Sequence, residues 1–470
     1  MLTIAVGALL DVVDGELLAG SAASVVNGVV IDSRDAGPGC VFVALPGERT
    51  DGHEYAAAAL VAGARALIVT RDGDDLREAI VASRRHDVAL VLVADGLDAL
   101  QRLAAHHRAR LTCSVIGITG STGKTTTKDL LAAALGARLR VVATKGNRNN
   151  ELGVPLTVMD AGADTDVLVV EMAMRGPGQI SRLCAIARPT MGLVTNVGVS
   201  HVEILGSEQA IAEAKGELVR AVPADGRVFL NGDDAWSAHL AASAAAPVTF
   251  YGTGPDADVR VEDVSVSEDG RPTFSLVTAD ERVEVALTVL GRHNVYNAAA
   301  ALAVARAVGL TLEEAADGLA AADMTGMRME VFTSATGVTV VNDAYNANPV
   351  SMRAALRTLA DVRSASRRIA VLGDMAELGS LTELAHFGMG EEVTALGLDA
   401  LVTVGALARR IADGALASGM PASVVRPCVT VEEASEVLDD LLEAGDVVLV
   451  KASRVVGIER VVEGIMEPHV

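Results

Sequence analysis

The stretch GITGSTGKTTTKDL, from Gly117 to Leu130, decides the fold of this chain. It lies between the apolar run CSVIGIT, which predicts a buried strand, and an Ala/Leu-rich pattern that predicts a helix. Glycines let backbone N–H groups converge on a phosphate, and the N-terminus of the following helix favours anions. Lys124 can neutralise phosphate charge, and Thr125 is placed to hold Mg²⁺. The predicted phosphate-binding loop comprises Gly120, Ser121, Thr122, Gly123, Lys124, Thr125 and Thr126.

The spacing of this loop departs from the common phosphate-loop pattern by one residue. In that pattern a glycine precedes the glycine of the Gly-Lys pair by five positions, whereas Ile118 stands there and Gly117 lies one residue further back. A glycine-rich turn with a chance lysine is therefore the alternative. The strand–loop–helix context favours phosphate binding, which alone would also suit a switch protein or a transporter ATPase.

Composition and charge narrow the class of protein. The 470 residues are half hydrophobic but only 2% aromatic, so aliphatic side chains must fill more than one core. A formal net charge of −22 disfavours non-specific binding to nucleic acid or anionic lipid. We expect no membrane insertion, because apolar runs are interrupted by polar residues and the N-terminus lacks a basic region. The four scattered cysteines, without a CxxC motif, fit a reduced cytoplasmic enzyme.

Short apolar runs alternate with helical patterns along the chain, which predicts an α/β fold with parallel sheets. After Pro247 four closely spaced β runs predict a small antiparallel insertion, and from Gly337 the alternation resumes. Plausible linkers lie at His106–Arg110 and Met324–Met329. We therefore predict three domains: an N-terminal α/β domain (1–107), a central P-loop-type domain with a parallel sheet and the insertion (108–322), and a C-terminal Rossmann-like α/β domain (323–470).

Three residues of the predicted central domain have chemistry that suits a nucleotide site. Glu171 ends the apolar run DVLVVE, where an acid would face the ligand crevice of an open sheet and bind Mg²⁺. A solvated strand-end acid is its alternative. His201 follows another strand-like run and suits either a metal or a structural role. Lys215 lies in the helical pattern that begins at Ser207, and the pattern alone favours a surface lysine.

Polar segments follow several predicted strands. The amides of NRNNELGVPLT, Asn147–Thr157, suit an amide- or sugar-rich substrate, or else turn formation. Beyond residue 337, VVNDAYNANPVSM, VLGDMAELG and VLVKASR each follow a strand. Each alone would fit a capped turn, but three such strand ends in one predicted domain indicate a face that meets ligand.

Taken in order, these blocks resemble the bacterial Mur ligases, which add amino acids to the peptidoglycan precursor. The matching blocks are DSR, PGERTDGH, TGSTGKTTTK, GNRNNELGVPLT, EMAMRGPGQI, TNVGVSHVEILGS, AKGE, HNVYN, DAYNANPVSM, LGDMAELG and KASR. The family shares the one-residue departure of the phosphate loop. RNNELGVP, DAYNANP and LGDMAELG resemble the branch that adds D-alanyl-D-alanine, and a DNPR-type sequence typical of the branch that adds the third residue is absent. Ala173 departs mildly, since the family more often has Gly there.

The resemblance implies a three-domain ATP-dependent amide ligase. ATP phosphorylates the terminal carboxylate of UDP-MurNAc-tripeptide, and the amine of D-Ala-D-Ala then attacks the acyl phosphate. The implied cofactors are ATP, Mg²⁺ and a CO₂-derived carbamate on Lys215, which replaces the surface-lysine interpretation. The implied enzyme is a monomer that binds no nucleic acid. The first domain would bind the UDP-precursor, the second ATP, and the third D-Ala-D-Ala while closing on ATP.

The resemblance also implies roles residue by residue. Catalytic roles fall on Lys124, His201, Lys215 and Arg328. Mg²⁺ ligands would be Thr125, Glu171, His201 and the carbamate of Lys215. ATP binding adds to the phosphate loop Asn294, Asn297, Arg328 and Asp343. Substrate contacts would come from Asp32, Ser33, Arg34, Asp51, Gly52, His53, Asn149, Asn150, Tyr345, Asn346 and Asn348.

Two other functions remain open on the sequence. One is the ligase of the same family that adds the third peptide residue, and the other is a nucleotide-dependent switch protein without a UDP-sugar site. The sequence leaves open whether the third residue of the peptide is diaminopimelate or lysine.

Overall fold

The computed structural model describes residues 1–47, 50–71, 81, 88–198 and 202–467. Within these residues the strands form four sheets, and helices pack against the three larger ones. The helices are Val6–Val13, Ala56–Val61, Gly96–Arg108, Lys124–Gly136, Gly153–Asp160, Gln179–Ala187, Val202–Leu205, Glu208–Ala221, Ser237–Ala241, Asn294–Val308, Leu312–Leu319, Pro349–Asp361, Thr382–Ala395, Arg409–Ala417, Val431–Leu441 and Glu459–Met466. The predicted α/β class is confirmed.

The N-terminal part contains a five-stranded sheet and a two-stranded one. Its strands are β1 (Thr3–Ala5), β2 (Glu16–Ala19), β3 (Val25–Asn27), β4 (Val29–Val30), β5 (Val41–Val43), β6 (Ala66–Val69) and β7 (Ala89–Leu92). The larger sheet has the order β2-β7-β6-β5-β4, with only β2 antiparallel to its neighbour. β1 and β3 form the small antiparallel pair.

A nine-stranded sheet forms the centre of the molecule. Its strands are β8 (Ser114–Thr119), β9 (Val141–Ala143), β10 (Val167–Glu171), β11 (Met191–Val194), β12 (Arg227–Asn231), β13 (Val248–Gly252), β14 (Val259–Val266), β15 (Pro272–Val277) and β16 (Arg282–Ala286). They follow the order β16-β15-β14-β13-β12-β11-β8-β10-β9. All neighbours from β9 to β14 pair in parallel, so the carboxyl ends of these strands meet at one edge.

The predicted antiparallel segment is part of this same sheet. β15 and β16 are antiparallel, as expected, but β13 and β14, which were predicted with them, pair in parallel. That pairing joins only Tyr251 with Val259 and Gly252 with Arg260. Because β14 starts beside the end of β13, a short loop suffices and no crossover helix is needed.

The C-terminal sheet has six strands. They are β17 (Glu330–Thr333), β18 (Thr339–Asn342), β19 (Arg368–Gly373), β20 (Ala400–Val404), β21 (Val425–Cys428) and β22 (Val447–Lys451). The order is β17-β18-β22-β19-β20-β21, and all neighbours except β17 and β18 are parallel. The helix Pro349–Asp361 packs on this sheet, and Asn348 caps it in a reciprocal capping box with Ser351. This cap fixes the helix end that faces the central sheet.

The N-terminal and central parts share one hydrophobic core, which runs from Leu2 to Leu218. The helix Gly96–Arg108 lies in it, so His106–Arg108, predicted as linker, form its last turn instead. The buried guanidinium of Arg108 donates to three carbonyls, of Leu111, Ala187 and Arg188, at 2.7 to 3.0 Å. These bonds offset the cost of burying its charge, although burial still lowers its pKa. The connection between the two parts is therefore packed rather than loose.

No described helix is long and apolar enough to cross a membrane. The longest described helix, Asn294–Val308, has 15 residues and is capped by Gly309 in the left-handed conformation, with a φ of 113°.

Candidate functional site

A cavity of about 1060 Å³ lies at the carboxyl edge of the central sheet. Residues from all three predicted domains line it. Leu97 and Gln101 come from the first, the phosphate loop and Glu171 from the second, and Arg328 from the third. Since ligands of open α/β sheets bind outside the carboxyl ends of the strands, this cavity is the candidate active site.

The predicted phosphate loop connects β8 to the helix Lys124–Gly136. Ser121 to Thr126 line the cavity, and the Thr122 N–H donates to Asn196 Oδ1 at 3.0 Å. Glycine is required at two positions of the loop, because a Cβ there would collide with a neighbouring side chain. A Cβ on Gly120 would lie 1.9 Å from Thr195 Oγ1, and one on Gly123 would lie 2.5 Å from Asn297 Oδ1. Both also have positive φ, of 152° and 77°. The loop thus keeps its shape only with glycine at these two positions.

We expect Gly120→Ala to weaken nucleotide binding by at least about tenfold, because the methyl group must displace Thr195 and with it the loop. The measurement is ADP affinity by calorimetry. Gly136→Ala is the matched control: it lies in the following helix, with nothing within 4 Å of an added Cβ. It should bind ADP normally and unfold at the same or a slightly higher temperature. Equal affinities for the two variants would contradict the expectation.

Lys124 lines the cavity at the first position of the loop helix. Its Nζ donates to Gly120 O at 2.7 Å, which folds the side chain back over the loop. Burial lowers its pKa, the Glu171 carboxylate opposes that shift, and Arg328 adds to it. Lys124 therefore lies within electrostatic range of an acid and of a second cation.

Glu171, at the end of β10, is only 1% exposed. Its Oε1 accepts from Asn149 Nδ2 at 2.7 Å, whereas its buried Oε2 has no hydrogen-bond partner. A buried carboxylate oxygen without a partner is costly unless a cation or donor completes it. The interpretation as a solvated strand-end acid is therefore wrong.

Lys215 is 2% exposed and lies in the helix Glu208–Ala221, which Ser207 caps as expected. The pattern-based prediction of a surface lysine is wrong, because this position faces the protein interior. Burial, and then the nearby charge of Lys124, lower the pKa of Lys215 well below its usual value. The side chain is thus suited to hold a neutral amine. His201, which is also a predicted metal ligand, lies outside the described residues.

The two asparagines of HNVYN form one hydrogen-bonded pair. Asn297 lines the cavity, accepts from Thr127 Oγ1 at 3.2 Å, and donates to Asn294 Oδ1 at 2.7 Å. Asn294 in turn donates to Leu290 O at 2.7 Å and is not among the lining residues. Asn297 therefore faces the candidate nucleotide site and Asn294 orients it. Their predicted contact with adenine stays a prediction.

The C-terminal part supplies a polar wall. The predicted residues Arg328, Asp343, Tyr345, Asn346 and Asn348 all line the cavity. The Arg328 guanidinium lies 4.0 Å from the centroid of the Tyr345 ring, and its buried Nε has no partner. A cation stacked on an aromatic face with an unused donor can still accept an anion.

Two lining residues were not assigned a role from the sequence. Lys451, at the end of β22, is 2% exposed and donates to Asp343 Oδ2 at 2.6 Å and to Asn346 O at 2.8 Å. His293 also lines the cavity, and burial lowers its pKa to about 4, so the ring is neutral at pH 7. The block VLVKASR at a strand end was the available signal for Lys451. For His293 the sequence offered no signal beyond the position of this residue in HNVYN.

Asn149 and Asn150 also line the cavity. Besides its bond to Glu171, Asn149 accepts at its carbonyl from Ala173 N at 2.8 Å. Asn150 Oδ1 accepts from Leu152 N and Gly153 N, at 3.2 and 3.0 Å. The interpretation as turn formation therefore holds for Asn150, and Asn149 orients Glu171. Contact of this segment with an amide- or sugar-rich substrate stays a prediction.

The predicted uridine-nucleotide residues form two capped turns away from the cavity lining. Asp32 caps the turn Ser33–Asp35 and pairs with Arg34, which lowers its pKa to about 2. Asp51 caps the turn Gly52–Tyr55 and accepts from His53 Nδ1 at 2.6 Å. His53 is buried and its Nε2 accepts from Thr70 N, so the ring is held in the Nδ1–H tautomer. These residues shape a loop surface, and their role toward a ligand stays a prediction.

Comparisons with known proteins agree with this architecture. Three family models match in chain order: "Mur ligase family, catalytic domain" over residues 25–108, "Mur ligase middle domain" over 118–305, and "Mur ligase, glutamate ligase domain" over 327–454. The UDP-N-acetylmuramoyl-tripeptide–D-alanyl-D-alanine ligase of Bacillus subtilis is 37% identical, covering 94% of this chain and 94% of that protein.

Solved structures give the same relationship. The crystal structure of MurF from Acinetobacter baumannii is 29% identical, covers 100% of both chains and has a TM-score of 0.85. MurF ligase from Thermotoga maritima, solved in complex with ADP, is 29% identical with a TM-score of 0.77, covering 94% of this chain and 97% of that one. On sequence, domain order and fold together, the chain belongs to the Mur ligase family.

Proposed function

We propose that this enzyme joins D-alanyl-D-alanine to UDP-MurNAc-tripeptide in an ATP-dependent reaction that proceeds through an acyl phosphate. The observation that supports it most is the single cavity in which the phosphate loop, Glu171 and Arg328 meet. Relatives whose names give this reaction match nearly the whole chain, and this similarity supports the proposed substrates as well as the use of ATP. The product is UDP-MurNAc-pentapeptide, with ADP and phosphate, as required for peptidoglycan precursor synthesis.

The chemical difficulty of this reaction is that a carboxylate must approach the γ-phosphate of ATP, so two anions meet. Lys124 and Arg328, which both line the cavity, supply positive charge from two different predicted domains. The backbone N–H groups of the loop and the N-terminus of the helix Lys124–Gly136 add fixed dipoles. Preorganised donors of this kind stabilise charge that develops in the transition state.

The residues present fit a magnesium ion. Glu171 offers a buried carboxylate oxygen without a partner, and Thr125 lines the same cavity. Among the described residues no group of three or more His, Cys, Asp or Glu forms a complete metal cage. That matches Mg²⁺, which takes one or two carboxylates and completes its shell with phosphate oxygens and water. When bound, the ion would neutralise phosphate charge, and His201 would add a ligand.

A carbamate on Lys215 would supply the second carboxylate-like ligand. Carbamate formation needs a neutral amine to attack CO₂, and the lowered pKa of the buried Lys215 favours that form. The modification converts the neutral amine into an anion, which would attract the nearby charge of Lys124.

We assign the three predicted domains separate tasks. Residues 1–107 would bind the UDP-precursor, 108–322 ATP, and 323–470 D-Ala-D-Ala while closing on ATP. The wall formed by Asp343, Tyr345, Asn346 and Asn348 offers hydrogen-bonding groups for a dipeptide. We propose a monomer as the working unit, as the resemblance to the family implies. A cytoplasmic location would give it ATP and suits its four free cysteines.

The test is phosphate release with ATP, Mg²⁺ and UDP-MurNAc-tripeptide, measured with and without D-Ala-D-Ala. We expect sustained release only when the dipeptide is present, together with a pentapeptide product by mass spectrometry. UDP-MurNAc-dipeptide with diaminopimelate or lysine serves as the comparison. Release with that pair instead would identify the third-residue ligase, and release without any acceptor would identify a simple ATPase.

A further inference from the structure

The linker into the C-terminal sheet is attached to the phosphate-loop helix. Asp129, in the second turn of that helix, accepts from the backbone N–H of Thr325 at 2.9 Å and from its Oγ1 at 3.2 Å. Lys128 Nζ donates to the same Thr325 Oγ1 at 3.3 Å and to Thr144 O at 2.9 Å. Lys128 and Asp129 contact each other and are only 4% and 7% exposed. Such a buried, fully paired network holds its members in one arrangement.

Arg328 follows Thr325 by three residues and is held on both sides. Its neighbours Met327 and Met329 have φ of 61° and 53°, a left-handed conformation that is unfavourable for residues with a side chain. Met327 O accepts from Tyr345 N at 3.2 Å, and Met329 N donates to Asp343 Oδ1 at 3.3 Å. The backbone around Arg328 is therefore fixed by the C-terminal wall on one side and by Thr325 on the other.

Arg328 is only three residues from Thr325, and three residues span at most about 11 Å even when fully extended. Hence Arg328 stays within that distance of Thr325, and so of the loop helix, whatever the C-terminal part does. Its guanidinium lines the cavity and acts electrostatically on Lys124.

We infer that Thr325, held by Asp129 and Lys128, is a positioning residue that keeps Arg328 directed at the ATP phosphates. The inference deepens the proposed function and rests on it. Thr325 touches neither substrate nor nucleotide in this role; it acts through Arg328. Without the attachment the two left-handed methionines would relax and the guanidinium would leave the phosphate side of the cavity.

The test compares Thr325→Val, which removes the hydroxyl at equal size, with Thr325→Ser, which keeps it. We expect Thr325→Val to lower kcat about tenfold, which is the effect expected from the loss of one buried hydrogen-bonding group. Thr325→Ser should retain most of the activity. The KM for UDP-MurNAc-tripeptide should not change, because the precursor site is elsewhere. Thr333→Val, at an exposed position of β17, is the matched control and should behave like wild type.

A double-mutant cycle separates positioning from a general structural effect. In an Arg328→Ala background, Thr325→Val should cause no further loss of kcat, since the residue through which it acts is gone. The inference would be overturned if Thr325→Val lowered kcat by the same factor in the Arg328→Ala background as in the wild type. It would also be overturned if Thr325→Val alone had wild-type kcat. If Thr325→Val does not fold, Asp129→Asn replaces it in the same cycle. Absence of ligation by the wild type would instead refute the proposed function.

Discussion

Lys215→Ala is expected to lower kcat for amide formation by about a thousandfold or more, while the protein stays folded. The buried lysine has no surface role to lose, and burial and the charge of Lys124 lower its pKa, which favours the neutral amine that reacts with CO₂. As a carbamate it would add a second carboxylate-like ligand to that of Glu171. Loss of metal-centred charge stabilisation costs several kcal/mol of barrier, and each 1.36 kcal/mol is a factor of about ten. Initial rates of phosphate release at saturating substrates measure the effect.

The controls distinguish a carbamate from a simple cation. Lys215→Arg keeps positive charge but cannot be carbamylated, so it should be as inactive as Lys215→Ala. Added bicarbonate should restore neither variant, whereas a small carboxylic acid that enters the space left in Lys215→Ala should restore part of its activity. Wild-type enzyme prepared without CO₂ should regain activity when bicarbonate is added. Substantial activity of the Arg variant would refute the carbamate assignment.

The phosphate loop shows why much of the site could be predicted from sequence. A loop that wraps a phosphate needs glycine where a Cβ would collide, and Gly120 and Gly123 meet Thr195 and Asn297 at such distances. The residues that impose this constraint are distant in sequence, but the glycines that answer it are consecutive with the strand and the helix, so they leave a readable pattern. The acid at the end of β10 was likewise predictable, because the end of a buried strand fixes where its last side chain points.

Other features depend on contacts between distant segments, which pattern cannot supply. The helical spacing around Lys215 is equally compatible with an exposed or a buried lysine, and only packing against the central sheet decides. The same holds for His107 and Arg108, which are polar enough for a linker but are buried. Two of the carbonyls that accept from Arg108, those of Ala187 and Arg188, are distant in sequence. The partner of Lys451 lies 108 residues away, so no local pattern could assign its role.

Glu171→Gln is expected to lower kcat by about a thousandfold and to abolish tight binding of a divalent cation with ADP. The two side chains have nearly the same size, and Gln can still accept from Asn149, so the fold should persist. What changes is the buried Oε2, which loses its negative charge or becomes an amide donor. The variant also leaves Lys124 without its nearby anion, which should lower the lysine pKa further and weaken its hold on phosphate.

Cation binding is the decisive measurement, because it does not depend on turnover. Mn²⁺, titrated with ADP and followed by electron paramagnetic resonance, should bind the wild type and not Glu171→Gln. Asp166→Asn is the matched control: it also removes a carboxylate next to β10, but one paired with Arg140 at the surface. Solvent screens an exposed pair of this kind, so its loss should hardly change Mn²⁺ binding or kcat. Unaltered Mn²⁺ affinity in Glu171→Gln would mean that the unpartnered oxygen serves a donor on the substrate rather than a metal, and Glu171 would then have to be reassigned to the acceptor side of the reaction.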